Sequence, residues 1–117
     1  MAGFQVIIYG RFWVITEGLF EYIWVSIFRS QISALDMLNA KSPPISKIEE
    51  LKLYYDSAVS LNPHFYTGYP FTSWLGYIKY WLLVGDRGGD SVYLTVRGRE
   101  FLKYMAASGK SATTKNN

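Results

Sequence analysis

The clearest pattern of apolar and polar positions begins at Phe71. Phe71, Trp74, Leu75, Ile78 and Leu82 recur at helical spacing on one stripe, with Thr72, Ser73, Gly76, Lys79 and Tyr80 on the other face. Pro70 suits the first position of that helix, because its fixed φ is helical and its missing N–H has no partner to lose there. The period then shortens. Residues 81–86 read as a strand, and Arg87, Gly88, Gly89 and Asp90 as a hairpin turn whose glycines tolerate φ > 0. Residues 91–96 return as a second strand, with Val92, Leu94 and Val96 on one side and Ser91, Tyr93 and Thr95 on the other. Thr95 is placed to cap a last helix carrying Phe101, Leu102 and Met105 on its apolar face. Gly98, near its start, has no Cβ and allows close approach to the hairpin.

Upstream, residues 4–9 are rich in β-branched side chains and read as a strand that resumes at residues 12–15. Thr16 then caps one long helix running toward Ala40, with Glu17 and Glu21 near its positive end and Phe28, Ile32, Leu35 and Leu38 on one face. Lys41, Ser42, Pro43 and Pro44 break it. Ser46 and Glu49 have capping-box spacing, and behind them Ile48, Leu51, Tyr55 and Val59 predict a helix over residues 46–60. Residues 61–69 form a loop.

Residues 4–28 are apolar enough to suggest a membrane span. Arg11, Glu17 and Glu21 interrupt them, and each costs roughly 2.5–3.5 kcal/mol near a bilayer centre, against about 0.3–0.6 kcal/mol returned per apolar residue. The sum does not favour insertion, and no basic start, unbroken apolar run and small-residue cleavage site mark a signal peptide. Peripheral attachment to a membrane through this segment is a weaker third reading.

Leu94-Thr95, Gly98 and Phe101-Leu102 resemble the "LT, two residues, G, two residues, FL" signature that closes many winged helix-turn-helix domains. The resemblance implies an α+β fold: a winged helix, with a three-helix core plus β-hairpin wing, and here an extra N-terminal strand and a lengthened first helix. It places the domain at residues 31–107, preceded by an N-terminal strand and helix extension at 1–30; residues 108–117 hold no apolar side chain large enough to anchor them and are expected as a disordered tail. It implies a short strand near Ile45 pairing with the wing, a wing tip at Arg87 to Asp90, and a DNA-facing helix starting at Pro70. The loop over 61–69 is longer than the tight turn of that family. The early part of the long helix is surplus to such a core. It is expected to build a homodimer through residues 4–28; the alternative is that it folds back on its own domain.

Composition sharpens this only in part. The 117 residues suit one domain, cysteine is absent, and 18% of the chain is aromatic, so a core or an interface is unusually rich in rings. Without cysteine there are no disulfides, which fits a cytoplasmic location. The net charge of +3 is uneven. Residues 1–69 hold five basic and six acidic side chains, giving −1, whereas residues 70–117 hold seven and three, giving +4. The second half thus leans mildly toward a polyanionic partner, with less basic excess than a dedicated nucleic-acid binder usually carries.

On the helix from Pro70 the outward candidates are Thr72, Ser73, Tyr77 and Lys79, with Tyr80 beside them; candidates for phosphate contact are Arg87, Arg97, Arg99 and Lys103. That helix has no Arg, Asn or Gln for bidentate base reading, so direct sequence specificity is expected to be poor. His64 lacks a local acid and nucleophile, Asp86 and Asp90 are too few for a calcium site, and Gly85 to Gly89 lacks the Lys-Ser/Thr of a phosphate loop. No enzyme, cofactor, metal or small-molecule ligand is implied. The expectation is a small DNA-binding regulator of double-stranded DNA; the alternative is a winged-helix module that binds protein through its aromatic surface.

Overall fold

The computed structural model describes residues 6–9, 12–15 and 17–115, with side chains from residue 18. Phe4, Gln5, Gly10, Arg11, Thr16 and residues 116–117, including the expected Thr16 cap, lie outside the described residues. The elements run β1 (Val6–Tyr9), β2 (Phe12–Ile15), α1 (Glu17–Ser26), α2 (Arg29–Asn39), β3 (Ile45–Lys47), α3 (Ile48–Leu61), α4 (Phe71–Tyr80), β4 (Val84–Arg87), β5 (Ser91–Leu94) and α5 (Val96–Ala107), with short 3-10 turns at Pro63–Tyr66 and Ala112–Thr114. The expected single N-terminal strand is instead two strands paired antiparallel, Val6 opposite Ile15 and Tyr9 opposite Phe12.

The long first helix is also two. Ser26 turns its hydroxyl back onto the carbonyls of Tyr22 and Ile23, at 3.1 and 3.3 Å, and Phe28 adopts extended backbone. The Phe28 N–H is given to Gln31 Oε1 at 2.7 Å, while the Phe28 carbonyl accepts from the amides of Gln31 and Ile32 and starts α2. Side-chain competition for backbone groups breaks the helix. The break lets α1 fold over the domain: Phe20, Ile23 and Ile27 enter the same core as the rest of the chain, and the Phe20 ring meets the edge of Phe101 at 5.6 Å. Three such side chains contribute about 1.5–3 kcal/mol each when buried, which makes α1 an integral layer of this domain. Tyr22 and Val25 are the large apolar side chains of α1 that stay exposed among the described residues.

The second sheet has the order β3-β5-β4, antiparallel throughout. Val84, Val92 and Leu94 point inward and meet Trp74, Leu75 and Ile78 of α4 and Phe101, Leu102 and Met105 of α5 in the core. Ser46 does not cap α3, as its spacing with Glu49 suggests. It lies in β3, and its hydroxyl donates to Glu50 Oε1 at 2.6 Å, where Lys41 joins at 2.9 Å. The Ser46 hydroxyl, then Lys41, holds the Glu50 carboxyl below the usual glutamate range.

Between α4 and β4 the chain turns where a strand is expected. The Leu83 amide reaches the Ile78 carbonyl and the Leu82 amide the Lys79 carbonyl, both at 2.9 Å, which is the Schellman pattern of helix termination. Leu82 occupies its left-handed position at φ 59°, where glycine is usual and a side chain costs about 1–2 kcal/mol. Its side chain is therefore exposed, not on the buried stripe, and the strand begins only at Val84. Val96, expected inward, is exposed because α5 already begins there. Thr95 does cap α5, its Oγ1 accepting from the Gly98 amide at 2.9 Å. Residues 108–115, expected as a disordered tail, fold back onto α2 and α1, Lys115 reaching the Trp24 carbonyl, and place Ala112 against the core.

Candidate nucleic-acid interface

Helix α4 is amphipathic, so burying Trp74, Leu75 and Ile78 turns Thr72, Ser73, Gly76 and Tyr80 outward, Tyr80 with 76% of its surface exposed. Tyr77, expected among the outward residues, is drawn the other way. Its hydroxyl bonds Ser26 Oγ and reaches the Ile23 carbonyl at 3.4 Å, so it fastens α4 to α1. Burial pushes its phenol pKa up, against the Ser26 bond. A tyrosine on a helix flank reads as outward until a further helix covers it, and α1 is that helix.

The cations are sorted by their partners. Lys79 Nζ lies 2.8 Å from Asp86 Oδ1, tying the last turn of α4 to β4. Arg97 Nη1 donates to the Trp81 carbonyl at 3.2 Å, so this guanidinium braces the start of α5 against the end of α4. Lys103 sits 3.3 Å from Glu100, an exposed pair of the kind worth about 0–1 kcal/mol and easily exchanged for another anion. Among the described residues, Arg87 and Arg99 have no ion pair, and both are exposed. Arg99 and Lys103 stand one helical turn apart on the outer side of α5.

The hairpin tip is built by Gly88, at φ 72°, and Gly89, both exposed. Register brings in a cation that the sequence reading did not include. Lys47 of β3 is opposite Ser91 of β5, which is opposite Arg87 of β4. Paired residues share a face, and Val92, one position on, points into the core, so Lys47, Ser91 and Arg87 form one row on the solvent side. Two strand spacings separate the outer members by roughly 9–10 Å. Lys47 is only loosely paired, 3.7 Å from Asp90. Its spacing to Arg87 is invisible without the sheet register. An open groove beside this row is lined by Lys47, Ile48, Glu49, Lys52, Gly89 and Asp90, so its charges are mixed.

Of the other candidates, Asp86 and Asp90 are engaged with Lys79 and Lys47, and His64 is exposed in the Pro63–Tyr66 turn. Among the described residues no group of three or more His, Cys, Asp or Glu side chains converges as a metal site, and no helix is long and apolar enough to cross a membrane. Compared with family models, with curated proteins and with solved structures, the chain matches none.

Proposed function

We propose that this chain is a winged-helix domain that binds double-stranded DNA, acting as a small cytoplasmic regulator and gripping phosphates more than reading bases. The observation that carries this is the cationic row at the hairpin tip. Arg87 and Lys47 flank Ser91 on the solvent face, and the same hairpin is tied through Asp86 to α4, whose outward Thr72 and Ser73 can donate to phosphate oxygens. Arg99 and Lys103 extend the contact along α5. Arg97 and Tyr77 take structural roles in this reading, and Lys79 positions the hairpin.

Titrating a nonspecific duplex at several salt concentrations tests it. Each phosphate contact released adds about 0.9 to the slope of log affinity against log salt, so Arg87→Ala with Arg99→Ala should flatten that slope by about 2. Arg97→Ala should leave the slope unaltered, because its guanidinium is committed to the Trp81 carbonyl. Absence of binding at low salt would end the proposal.

A second reading, an interaction module for protein, is favoured by one observation. Leu82 holds a strained left-handed conformation yet keeps an exposed side chain next to Tyr80 and Trp81, whose rings meet at 5.1 Å, with Tyr22 of α1 at 5.6 Å from Trp81. Among the described side chains, homodimerisation through residues 4–28 would use Tyr22 and Val25, since Phe20, Ile23 and Ile27 are used within the domain.

A further inference from the structure

The break between α1 and α2 leaves the end of α1 with a carbonyl to satisfy. In an uninterrupted helix the Phe28 amide would bond the Trp24 carbonyl, but that amide goes to Gln31. The last turn of α1 has no basic residue of its own to offset the negative end of its dipole. Lys115, 91 positions along the chain, supplies both functions: its ammonium donates to the Trp24 carbonyl at 2.6 Å and lies 4.8 Å from the centre of the Trp24 ring.

The chain is steered there by the end of α5. Gly109, at φ 72°, closes a second Schellman turn, with the Lys110 amide on the Met105 carbonyl at 2.8 Å and the Gly109 amide on Ala106 at 3.2 Å. Lys110 is thereby set 3.5 Å from Glu21 and 5.5 and 5.9 Å from the rings of Tyr104 and Trp24. The Tyr104 hydroxyl also donates to Glu21. That bond first, and Lys110 after it, holds the Glu21 carboxyl below the usual glutamate range, against an opposing contribution from burial. Between the two lysines, Ala112 packs on the core. Two ammonium groups therefore bracket one tryptophan of α1, with a carboxylate and a second ring completing the seat.

We propose that residues 108–115 are a strap: Lys110 and Lys115, seated on Glu21, Trp24 and Tyr104, damp the local opening of α1 over α4 and α5, and loss of their positive charge raises that opening. Because Ser26 and the Ile23 carbonyl of α1 hold Tyr77, the state of the strap is felt at the back of α4. The device does not depend on what α4 binds.

Amide hydrogen exchange on the full chain, read by mass spectrometry, tests this with two double variants. In Lys110→Met with Lys115→Met, exchange over residues 17–26 should rise by about tenfold while α3 keeps the wild-type rate, the pattern of local opening. In Lys110→Arg with Lys115→Arg, where charge is kept, α1 should stay within about twofold of wild type. Unchanged exchange in the methionine variant overturns the strap. So does an equal rise in α3, which would mean general loss of stability, or an arginine variant that behaves like the methionine one.

Discussion

Adding one methyl group at position 98 should destabilise the protein by about 3 kcal/mol, the upper end of the usual cost of overpacking. A Cβ on Gly98 would stand 2.2 Å from the Leu83 carbonyl oxygen and 2.6 Å from Leu94 Cδ1. The Leu94 methyl can rotate away; the carbonyl cannot. It is backbone, and it already accepts from the Thr95 amide at 3.1 Å and the Thr95 hydroxyl at 3.0 Å. Relieving the clash means lifting α5 off the base of the hairpin, with the loss of those bonds and of the Thr95 cap. Gly76→Ala is the matched control. It lies inside α4 with nothing within 4 Å of its would-be Cβ, so it should gain about 0.5–1 kcal/mol from helix propensity alone. Denaturant titration followed by tryptophan fluorescence measures both. A Gly98→Ala variant as stable as wild type would mean that α5 does not sit where it is described.

The second large effect is expected at Gln31, which is fully buried. Its amide ties the helix break to α4: Oε1 accepts from the Phe28 amide at 2.7 Å and Nε2 donates to the Trp74 carbonyl at 2.9 Å. Beside it the Trp74 indole donates to Ser30 Oγ at 2.9 Å, and Ser30 bonds Tyr66 at 2.8 Å. Gln31→Leu keeps the approximate volume but strands the Phe28 N–H at the helix break, and should cost about 2–4 kcal/mol in the same denaturation assay. Gln31→Glu should behave differently with pH. A carboxyl buried against the Trp74 carbonyl is held above its ordinary value of about 4.3, so the folded state keeps a proton that the unfolded state loses. Stability of this variant should therefore fall as pH rises from about 4.3 toward 7, whereas Gln31→Leu shows no such slope beyond wild type. A Gln31→Glu variant with a wild-type pH profile would contradict the buried site.

These two residues also mark where sequence reading succeeded and where it stopped. Gly98 was legible because Thr95, Gly98 and Phe101 follow at fixed short spacing, and their roles as cap, contact and core are local. Gln31 was not, because a glutamine midway along an apolar helix pattern looks like a solvated position. The one available signal was its place three residues after Phe28, the spacing of a Gln reaching back to an N-cap amide. Missing it turned two helices into one and left the apolar residues of α1 without an internal partner. The same holds for the charges. The Glu100 and Lys103 pair is visible at i, i+3, but Lys79 meets Asp86 only because the chain turns at Leu82, a residue whose left-handed backbone no propensity favours. Lys47 meets the row of Arg87 only through a three-strand register. Lys110 and Lys115 lie in a polar stretch with no large apolar anchor, and their partner Trp24 is far away in sequence.

The proposed function requires that the hairpin tip and the outward side of α4 meet DNA. Backbone amide shifts recorded while a nonspecific duplex is added at low salt address that directly. The largest changes should fall on Lys47, residues 87–91, Thr72, Ser73 and Gly76, with α3 from Leu53 onward unaffected. Changes confined to Tyr22, Tyr80, Trp81 and Leu82, or no changes at any position, would contradict it.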